Sequence, residues 1–156
     1  MVSSPINIAK DSDFLLLPKI FLTNRQLCDL ELILNGGFSP LLGFLNEKDY
    51  LSVLSKLRLS NGVLWPIPVV LDVEGVEGIS LGQKILLCDM SEKPVATIHV
   101  ESIYKPDKKK EAQLVYGTQS RDHFGVKYLF DKTNDFYIGG KVEKVGIIEH
   151  FDYKNL

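Results

Sequence analysis

Few of the residue types from which metal and catalytic sites are usually built occur in this sequence. Its 156 residues include only two cysteines, Cys28 and Cys88, and three histidines. The cysteines form no CxxC pair, and His99, His123 and His150 stand in no HxxxH or HxH arrangement. These absences exclude the usual sequence signatures of a bound metal ion, so no metal ligand is predicted. Both cysteines are predicted to be buried thiols.

Signatures of nucleotide binding and of nucleophilic catalysis are missing as well. Adjacent glycines occur at residues 36–37 and 139–140, but neither pair belongs to a GxGxxG or GxxxxGK[ST] motif. No serine stands in a GxSxG turn, and neither cysteine has a histidine close to it in sequence. The residues alone therefore nominate no catalytic residue and no cofactor-binding residue.

Long apolar runs and a strong net charge are also absent. No stretch approaches the ~18 apolar residues of a membrane span, and the N-terminus lacks the apolar run of a signal peptide. The formal net charge of −2 gives no overall attraction to nucleic acid or to an anionic membrane. We therefore expect a soluble, cytoplasmic protein without a membrane partner, and the composition argues against a nucleic-acid partner.

Two local groups of charged side chains remain as candidates for anion binding. Residues 108–110 form a run of three lysines, but Glu111 follows them, which favours a solvated face over a phosphate contact. Residues 121–123 read Arg-Asp-His and could bind an anion or orient one another. A solvated loop with local hydrogen bonds is the favoured interpretation for these three residues.

The length and composition indicate one folded domain over residues 1–156. Hydrophobic residues make up 45% and charged residues 24% of the chain, which is typical of a globular protein with a core. Two helical patterns come early and several short strand patterns follow. This order predicts an α+β domain with a small, strongly bent sheet or barrel.

The most tightly specified stretch is residues 22–44. Thr23 and Gln26 have the spacing of a capping box, and an apolar stripe of Leu27, Leu30 and Leu34 follows at helical spacing. The Asn-Gly-Gly sequence at residues 35–37 is predicted to end this helix, because glycine tolerates the left-handed backbone of a helix C-terminus.

The loop after this helix is unusually apolar. Phe38, Leu41, Leu42 and Phe44 surround a serine and a proline where a surface connection would ordinarily be polar. Two interpretations follow from this composition. The loop packs onto the domain's own core, or it forms a docking surface for another domain or subunit.

The remaining elements are predicted from shorter patterns. Asn46 is the N-cap of a second helix that ends near Arg58. Strands are predicted within residues 64–73, 84–89, 95–103 and 136–145, the first interrupted by two prolines and the last by a bulge or close backbone approach at its paired glycines. A short helix is expected around residues 111–114. Residues 118–131 are polar with apolar residues inserted among them, and residues 1–13 are predicted to be a loosely held arm.

Several segments of the chain resemble the ATP sulfurylase (sulfate adenylyltransferase) family. They match that family's N-terminal blocks in the same order and cover most of residues 23–145. The matching segments are RQLCDLELILNGGFSPLLGFLNEKDY at residues 25–50, LSNGVLWPIPVVLDV at 59–73, IYKPDKKKEA at 103–112, YGTQSRDHFGVKYL at 116–129 and YIGGKVEKV at 137–145.

The resemblance implies an N-terminal PUA-like domain, a small β-barrel-like module with helices that precedes a catalytic domain. It also implies a reaction in the full-length enzyme that joins ATP and sulfate to give adenosine 5′-phosphosulfate and pyrophosphate, normally with Mg²⁺. The family's catalytic QxRNPxHxxH segment has no counterpart in this sequence. On this basis the chain alone is expected to be catalytically silent and to hold neither ATP nor Mg²⁺.

The implied partner is a catalytic domain, in the same chain or a separate one, and self-association remains open. Phe38, Leu41, Leu42 and Phe44 are the expected interdomain contact. Leu42 departs from the family pattern, which commonly has an acidic residue there, and Cys88 and Phe124 replace a frequent arginine and proline. The alternative is a free-standing PUA-like binding module with an RNA or protein partner.

Overall fold

The computed structural model describes residues 16–146. Within that range the chain forms four helices and six strands, whose order places two helices early and the longest strands late. The elements are β1 (Lys19–Phe21), α1 (Asn24–Leu34), β2 (Gly43–Phe44), α2 (Glu47–Lys56), β3 (Leu71–Val73), β4 (Lys84–Cys88), β5 (Pro94–Tyr104), α3 (Lys108–Tyr116), α4 (Phe124–Asp131) and β6 (Phe136–Lys144). The predicted N-terminal arm and His150 lie outside the described residues.

All six strands join one mixed sheet with the order β1-β4-β5-β6-β2, and β3 pairs with another part of β6. Only the β1–β4 pair is parallel within residues 16–146. The α+β class is confirmed, but over these residues the sheet is open and not a closed barrel. Closure would require β1 to pair with β2 or β3, and these strands of two or three residues instead pair with β4 and β6.

The first helix begins as its sequence predicts. The Oγ1 atom of Thr23 accepts a hydrogen bond from the Gln26 N–H at 3.2 Å, and the Gln26 Oε1 atom accepts from the Thr23 N–H at 2.9 Å. The helix ends at Leu34, and Gly36 adopts a φ of +85° just beyond it. Both the capping box and the glycine stop are therefore confirmed.

The second helix begins at the predicted cap and ends slightly early. The side chain of Asn46 accepts a hydrogen bond from the Asp49 N–H at 2.9 Å, as expected for an N-cap. The helix stops at Lys56 because Leu57 takes a left-handed conformation, with φ +57°. The helix therefore ends two positions before the predicted end at Arg58.

The paired glycines of β6 lie where other backbone segments pass very close. A Cβ atom added at Gly139 would overlap the backbone of Leu45 and Asn46, and one added at Gly140 would overlap the carbonyl of His99. The predicted close backbone approach is therefore confirmed, and it is what allows β2 and β5 to flank β6.

The structure also adds to and corrects the sequence-based expectations. Residues 118–131, for which the sequence predicted no element, contain α4, whose Val126 and Leu129 pack with Ala112 of α3 in a second small core. Cys88 is buried as predicted, but Cys28 is exposed. The buried positions of α1 are residues 26, 27, 30 and 33, and Cys28 lies on the opposite, exposed face of the helix.

Candidate functional site

The apolar loop predicted as a contact packs mainly onto its own domain. Leu41 and Phe44 are buried in the main core, and Phe38 is half-buried with its ring edge-on to Trp65 at a centroid distance of 5.6 Å. Leu42 is the exception, because 65% of its surface is exposed. Of the four predicted residues, Leu42 is therefore the one that offers a large free side chain, and its contact with another domain stays a prediction.

Backbone hydrogen bonds, both within the loop and to β6, hold this loop in place. The Phe38 N–H donates to the carbonyl of Leu32 at 2.9 Å, and the Leu41 N–H donates to the carbonyl of Phe38 at 2.8 Å. The carbonyl of Leu42 then accepts from the Val142 N–H at 3.0 Å beside the β2–β6 pair. These bonds aim the side chains of Leu41 and Phe44 inward and leave Leu42 facing solvent.

A second loop, residues 57–67, carries more exposed apolar surface, which was not predicted from the sequence. Leu57, Val63, Leu64 and Ile67 are all exposed, and Leu64 the most, at 61%. Backbone bonds fold the loop on itself, since the Leu59 N–H donates to Val63 and the Trp65 N–H to Leu57, each at 2.8 Å. The sequence does show the apolar character of this loop, because residues 63–67 are apolar around a proline, but that pattern predicts an irregular strand rather than an exposed surface.

The two loops are neighbours. Phe38 touches Trp65, and Leu42 lines one groove together with Leu59 and Asn61. The indole N–H of Trp65 is buried without a hydrogen-bond partner among residues 16–146. We call the exposed side chains of Leu42, Leu57, Val63, Leu64 and Ile67 the apolar loop surface.

A buried carboxyl group joins several elements on another side of the core. Glu111 of α3 is only 5% exposed, and its Oε1 atom accepts hydrogen bonds from the hydroxyls of Tyr50 at 2.5 Å and Tyr137 at 2.8 Å. A third tyrosine, Tyr104, packs against both rings and donates its hydroxyl to the carbonyl of Leu45 at 2.8 Å. The sequence does not predict this role, because Glu111 follows a run of three lysines and that pattern is typical of a solvated face.

Burial governs the ionisation of this cluster. It raises the pKa of the Glu111 carboxyl above its ordinary value, against the hydrogen bonds from Tyr50 and Tyr137 and the charge of Lys108, which lower it. Burial and the neighbouring Glu111 raise the pKa of both tyrosine hydroxyls. The tyrosines therefore remain protonated donors across the physiological pH range.

Glu111 also lines a cleft of about 260 Å³ between α1, residues 67–72, α3 and α4. We call it the acidic cleft. Its charged lining residues are Arg25, Asp29, Asp72, Glu111 and Lys132. Three of these five side chains carry carboxyl groups, and Glu111 is the most buried of them.

Most of the other charged groups of the acidic cleft are already engaged. Asp72 accepts from the Gln26 side-chain amide at 2.9 Å and from the Asn134 N–H at 2.8 Å. The guanidinium of Arg25 lies 4.2 Å from the ring centre of Tyr128, in cation–π contact. Burial raises the pKa of Asp29, and the charge of Arg25 opposes that effect.

The charged groups singled out from the sequence make local contacts. His123 caps α4, its Nδ1 atom accepting from the Gly125 N–H at 3.0 Å, and Arg121 pairs with Asp131 at 3.1 Å. Lys108 donates to the carbonyl of Thr133 at 2.8 Å and lies 3.6 Å from Asp135. His99 is exposed on β5. Within residues 16–146 no group of three histidine, cysteine or acidic side chains could hold a metal ion, and no helix is long and apolar enough to cross a membrane.

The fold and these two surfaces define a small α+β domain built on an open mixed sheet, with an acidic cleft and an apolar loop surface. Residues 6–146 match the family model described as "PUA-like domain", and the chain therefore belongs to the PUA-like domain family.

Curated relatives give the comparison more detail. The chain is 50% identical over 145 residues to a sulfate adenylyltransferase of Coccidioides immitis, covering 90% of this chain and 25% of that protein. It is 46% identical over 154 residues to a sulfate adenylyltransferase of Schizosaccharomyces pombe, covering 96% of this chain and 31% of that protein. The similarity lies in the N-terminal part of these relatives, and the chain spans about a quarter to a third of their length.

A solved structure supports the same fold. The structure titled "Hexameric APS kinase from Thiobacillus denitrificans" superposes with a TM-score of 0.71 over 96% of this chain and 26% of that one. Its sequence identity to this chain is 22%. The likeness is therefore one of fold.

Proposed function

We propose that this chain is the N-terminal PUA-like domain of a sulfate adenylyltransferase and that it docks onto the catalytic part of that enzyme. The observation that carries the proposal is an identity of about 50% to the N-terminal quarter of proteins with that name. In this proposal the complete cytoplasmic enzyme joins ATP and sulfate in the presence of Mg²⁺. ATP and Mg²⁺ bind outside residues 1–156.

The apolar loop surface is the proposed docking face. Five large apolar side chains are exposed on two adjacent loops, and grouped apolar exposure on a folded domain is typical of a contact with another protein. The occupant we propose is the catalytic part of the enzyme, because the relatives continue for about three times the matched length. Self-association of the chain through the same face is the competing outcome, which its mass in solution distinguishes.

RNA binding has less support from the structure. Lys108, the first of the three lysines, is held by Thr133 and Asp135 instead of projecting as a free phosphate contact. The net charge of −2 adds no general attraction to a polyanion.

A chimera provides the direct test. In the S. pombe relative, the segment that aligns with this chain is replaced by residues 1–156, and pyrophosphate release from ATP and sulfate is measured. We expect the chimera to turn over at a rate comparable to that of the relative, and residues 1–156 alone to release no pyrophosphate. Robust turnover by the chain alone, or a folded chimera without activity, would contradict the proposal.

A further inference from the structure

The loop of residues 57–67 carries a single charged side chain, that of Arg58. Arg58 is exposed and forms an antiparallel bridge with Leu64, so the two residues stand directly opposite each other across the loop. Side chains of directly opposite residues project from the same face of an antiparallel pair. The guanidinium cation of Arg58 therefore lies on the same face as Leu64, which belongs to the apolar loop surface.

The loop itself orients this guanidinium. The Nη1 atom of Arg58 donates a hydrogen bond to the carbonyl of Gly62 at 3.0 Å. Its Nε and Nη2 atoms form no hydrogen bond or ion pair with residues 16–146. These two atoms lie on one edge of the planar group, and that edge can donate two parallel hydrogen bonds to a single carboxylate. Arg58 thus presents a fixed but unused pair of donors.

The carboxylate that is bonded to this loop does not serve Arg58. The Oδ1 atom of Asp49 accepts from the backbone N–H of Ser60 at 2.8 Å and from its hydroxyl at 2.6 Å. Over the part of the chain that the structure describes, no carboxylate lies within ion-pairing distance of Arg58. The free edge of the guanidinium is therefore available to a partner.

A contact that covers Leu64 also takes Arg58 out of water, because the two side chains share one face. Removing a cation from water is costly unless a carboxylate pairs with it. Arginine is also among the residues that contribute most to binding when it is enclosed at an interface. The docking contact proposed above therefore requires a negative group at this position.

We propose that the catalytic part of the enzyme presents an aspartate or glutamate carboxylate to Arg58 while an apolar patch covers Leu64 and the rest of the apolar loop surface. The carboxylate accepts from Nε and Nη2, and Nη1 keeps its bond to the carbonyl of Gly62. This inference rests on the proposed docking function and adds the chemistry of the partner, which is an apolar face that carries an acidic side chain.

A zero-length cross-link in the chimera of the S. pombe relative tests the contact. Arg58→Lys introduces a primary amine, and a water-soluble carbodiimide joins that amine to a carboxyl group in contact with it. An amide bond forms, and the carbodiimide takes up the water that is lost and becomes a urea. We expect peptide mass spectrometry to find position 58 joined to an aspartate or glutamate of the catalytic part. Lys109, an exposed lysine of α3, is the control and should give no cross-link to that residue.

The cross-link and the turnover of the chimera are measured separately. Turnover without a cross-link from position 58 to the catalytic part supports the docking function and overturns the acidic contact. A cross-link without turnover supports the contact and contradicts the proposed function. A cross-link from position 58 to residues 1–156 of a second copy assigns the surface to self-association and overturns the proposal. Absence of both turnover and cross-link overturns both.

A second variant tests whether the charge holds the docked state. Arg58→Gln removes the cation and should raise the amide hydrogen-exchange rates of residues 57–67 in the chimera about tenfold or more. Lys109→Gln removes the same charge elsewhere and should leave these rates unchanged. The same measurement on the 156-residue chain alone provides the reference. An equal increase there would mean that Arg58 only stabilises its own loop and would overturn the proposal.

Discussion

The hydroxyl of Tyr50 donates a 2.5 Å hydrogen bond to the carboxylate of Glu111 and so joins α2 to α3 across 61 positions of sequence. Tyr137 of β6 donates to the same oxygen at 2.8 Å. One buried oxygen atom therefore connects two helices and the sheet. Because a buried hydroxyl without a partner is costly, the two tyrosine hydroxyls require the Glu111 carboxyl as their acceptor. The hydrogen bonds also fix the position of Glu111, which lines the acidic cleft.

Replacing Glu111 by alanine should strongly destabilise the domain. The change leaves the hydroxyls of Tyr50 and Tyr137 without their acceptor, and each unsatisfied buried group costs about 1–3 kcal/mol. We expect the free energy of unfolding, measured by urea denaturation, to fall by about 2–5 kcal/mol. Glu143→Ala on the exposed face of β6 is the control and should change it by less than about 0.5 kcal/mol. Equal effects of the two changes would show that the buried contact adds no stability.

The pKa of Glu111 predicts a pH dependence with a definite sign. Burial raises this pKa above the ordinary glutamate value of 4.5, so the folded state binds the proton more tightly than the unfolded state does. The resulting stability is fully present below pH 4.5 and is lost as the pH rises through the folded pKa.

Glu111→Gln removes that titration and keeps an acceptor for the tyrosines. The stability of the wild-type chain relative to this variant should therefore be greater at pH 4.5 than at pH 7.5, as measured by urea denaturation at both values. Asp29 also has a raised pKa, but it is present in both proteins and cancels in the comparison. A difference in stability that stays constant between the two pH values would contradict the prediction.

Local patterns predicted the parts of the fold that depend on neighbouring residues. The capping box of Thr23 and Gln26 and the cap at Asn46 are formed by side chains within three residues of the groups they bind, so their spacing identified them. The close approach at Gly139 was also visible, because glycine in a strand leaves room for another backbone.

The candidate sites depend on residues that are distant in sequence and were not predictable in the same way. Glu111 contacts Tyr50 and Tyr137 only because the sheet and two helices pack together, and no local sequence pattern around Glu111 predicts that contact. For the apolar loop, the residue types were visible in the sequence, but their directions were set by the β2–β6 pairing. That pairing turns Phe44 inward and leaves Leu42 exposed.

The capping box should contribute a measurable share of the stability. Thr23→Ala removes the acceptor for the Gln26 N–H and should lower the free energy of unfolding by about 1 kcal/mol. Thr23→Ser retains the hydroxyl and should stay within a few tenths of a kcal/mol of the wild type. Thermal or urea unfolding of both variants measures this difference, and equal losses would mean that the methyl group, not the cap, is what matters.

The close contact between β2 and β6 should not tolerate a side chain. A Cβ atom at Gly43 would overlap the carbonyl of Gly140, so Gly43→Ala should separate the two strands and lower the free energy of unfolding by about 3 kcal/mol or more. Gly75→Ala is the matched control, because its added Cβ meets nothing within 4 Å, and it should change stability by less than about 1 kcal/mol. Comparable losses at both positions in denaturant unfolding would contradict the packing argument.

Charged substitutions in the apolar loop surface should separate docking from folding. Leu42→Asp and Leu64→Asp change side chains that are 65% and 61% exposed, so the isolated domain should unfold within about 0.5 kcal/mol of the wild type. Burying the new carboxylate against a partner is unfavourable, so affinity for the separately produced catalytic part of the S. pombe relative should fall about tenfold or more. Leu81→Asp is the control, since Leu81 is 66% exposed but lies outside this surface. Isothermal titration calorimetry of the three variants measures their affinity for the catalytic part. If Leu81→Asp weakens binding as much as the other two changes, the docking face lies elsewhere on the domain.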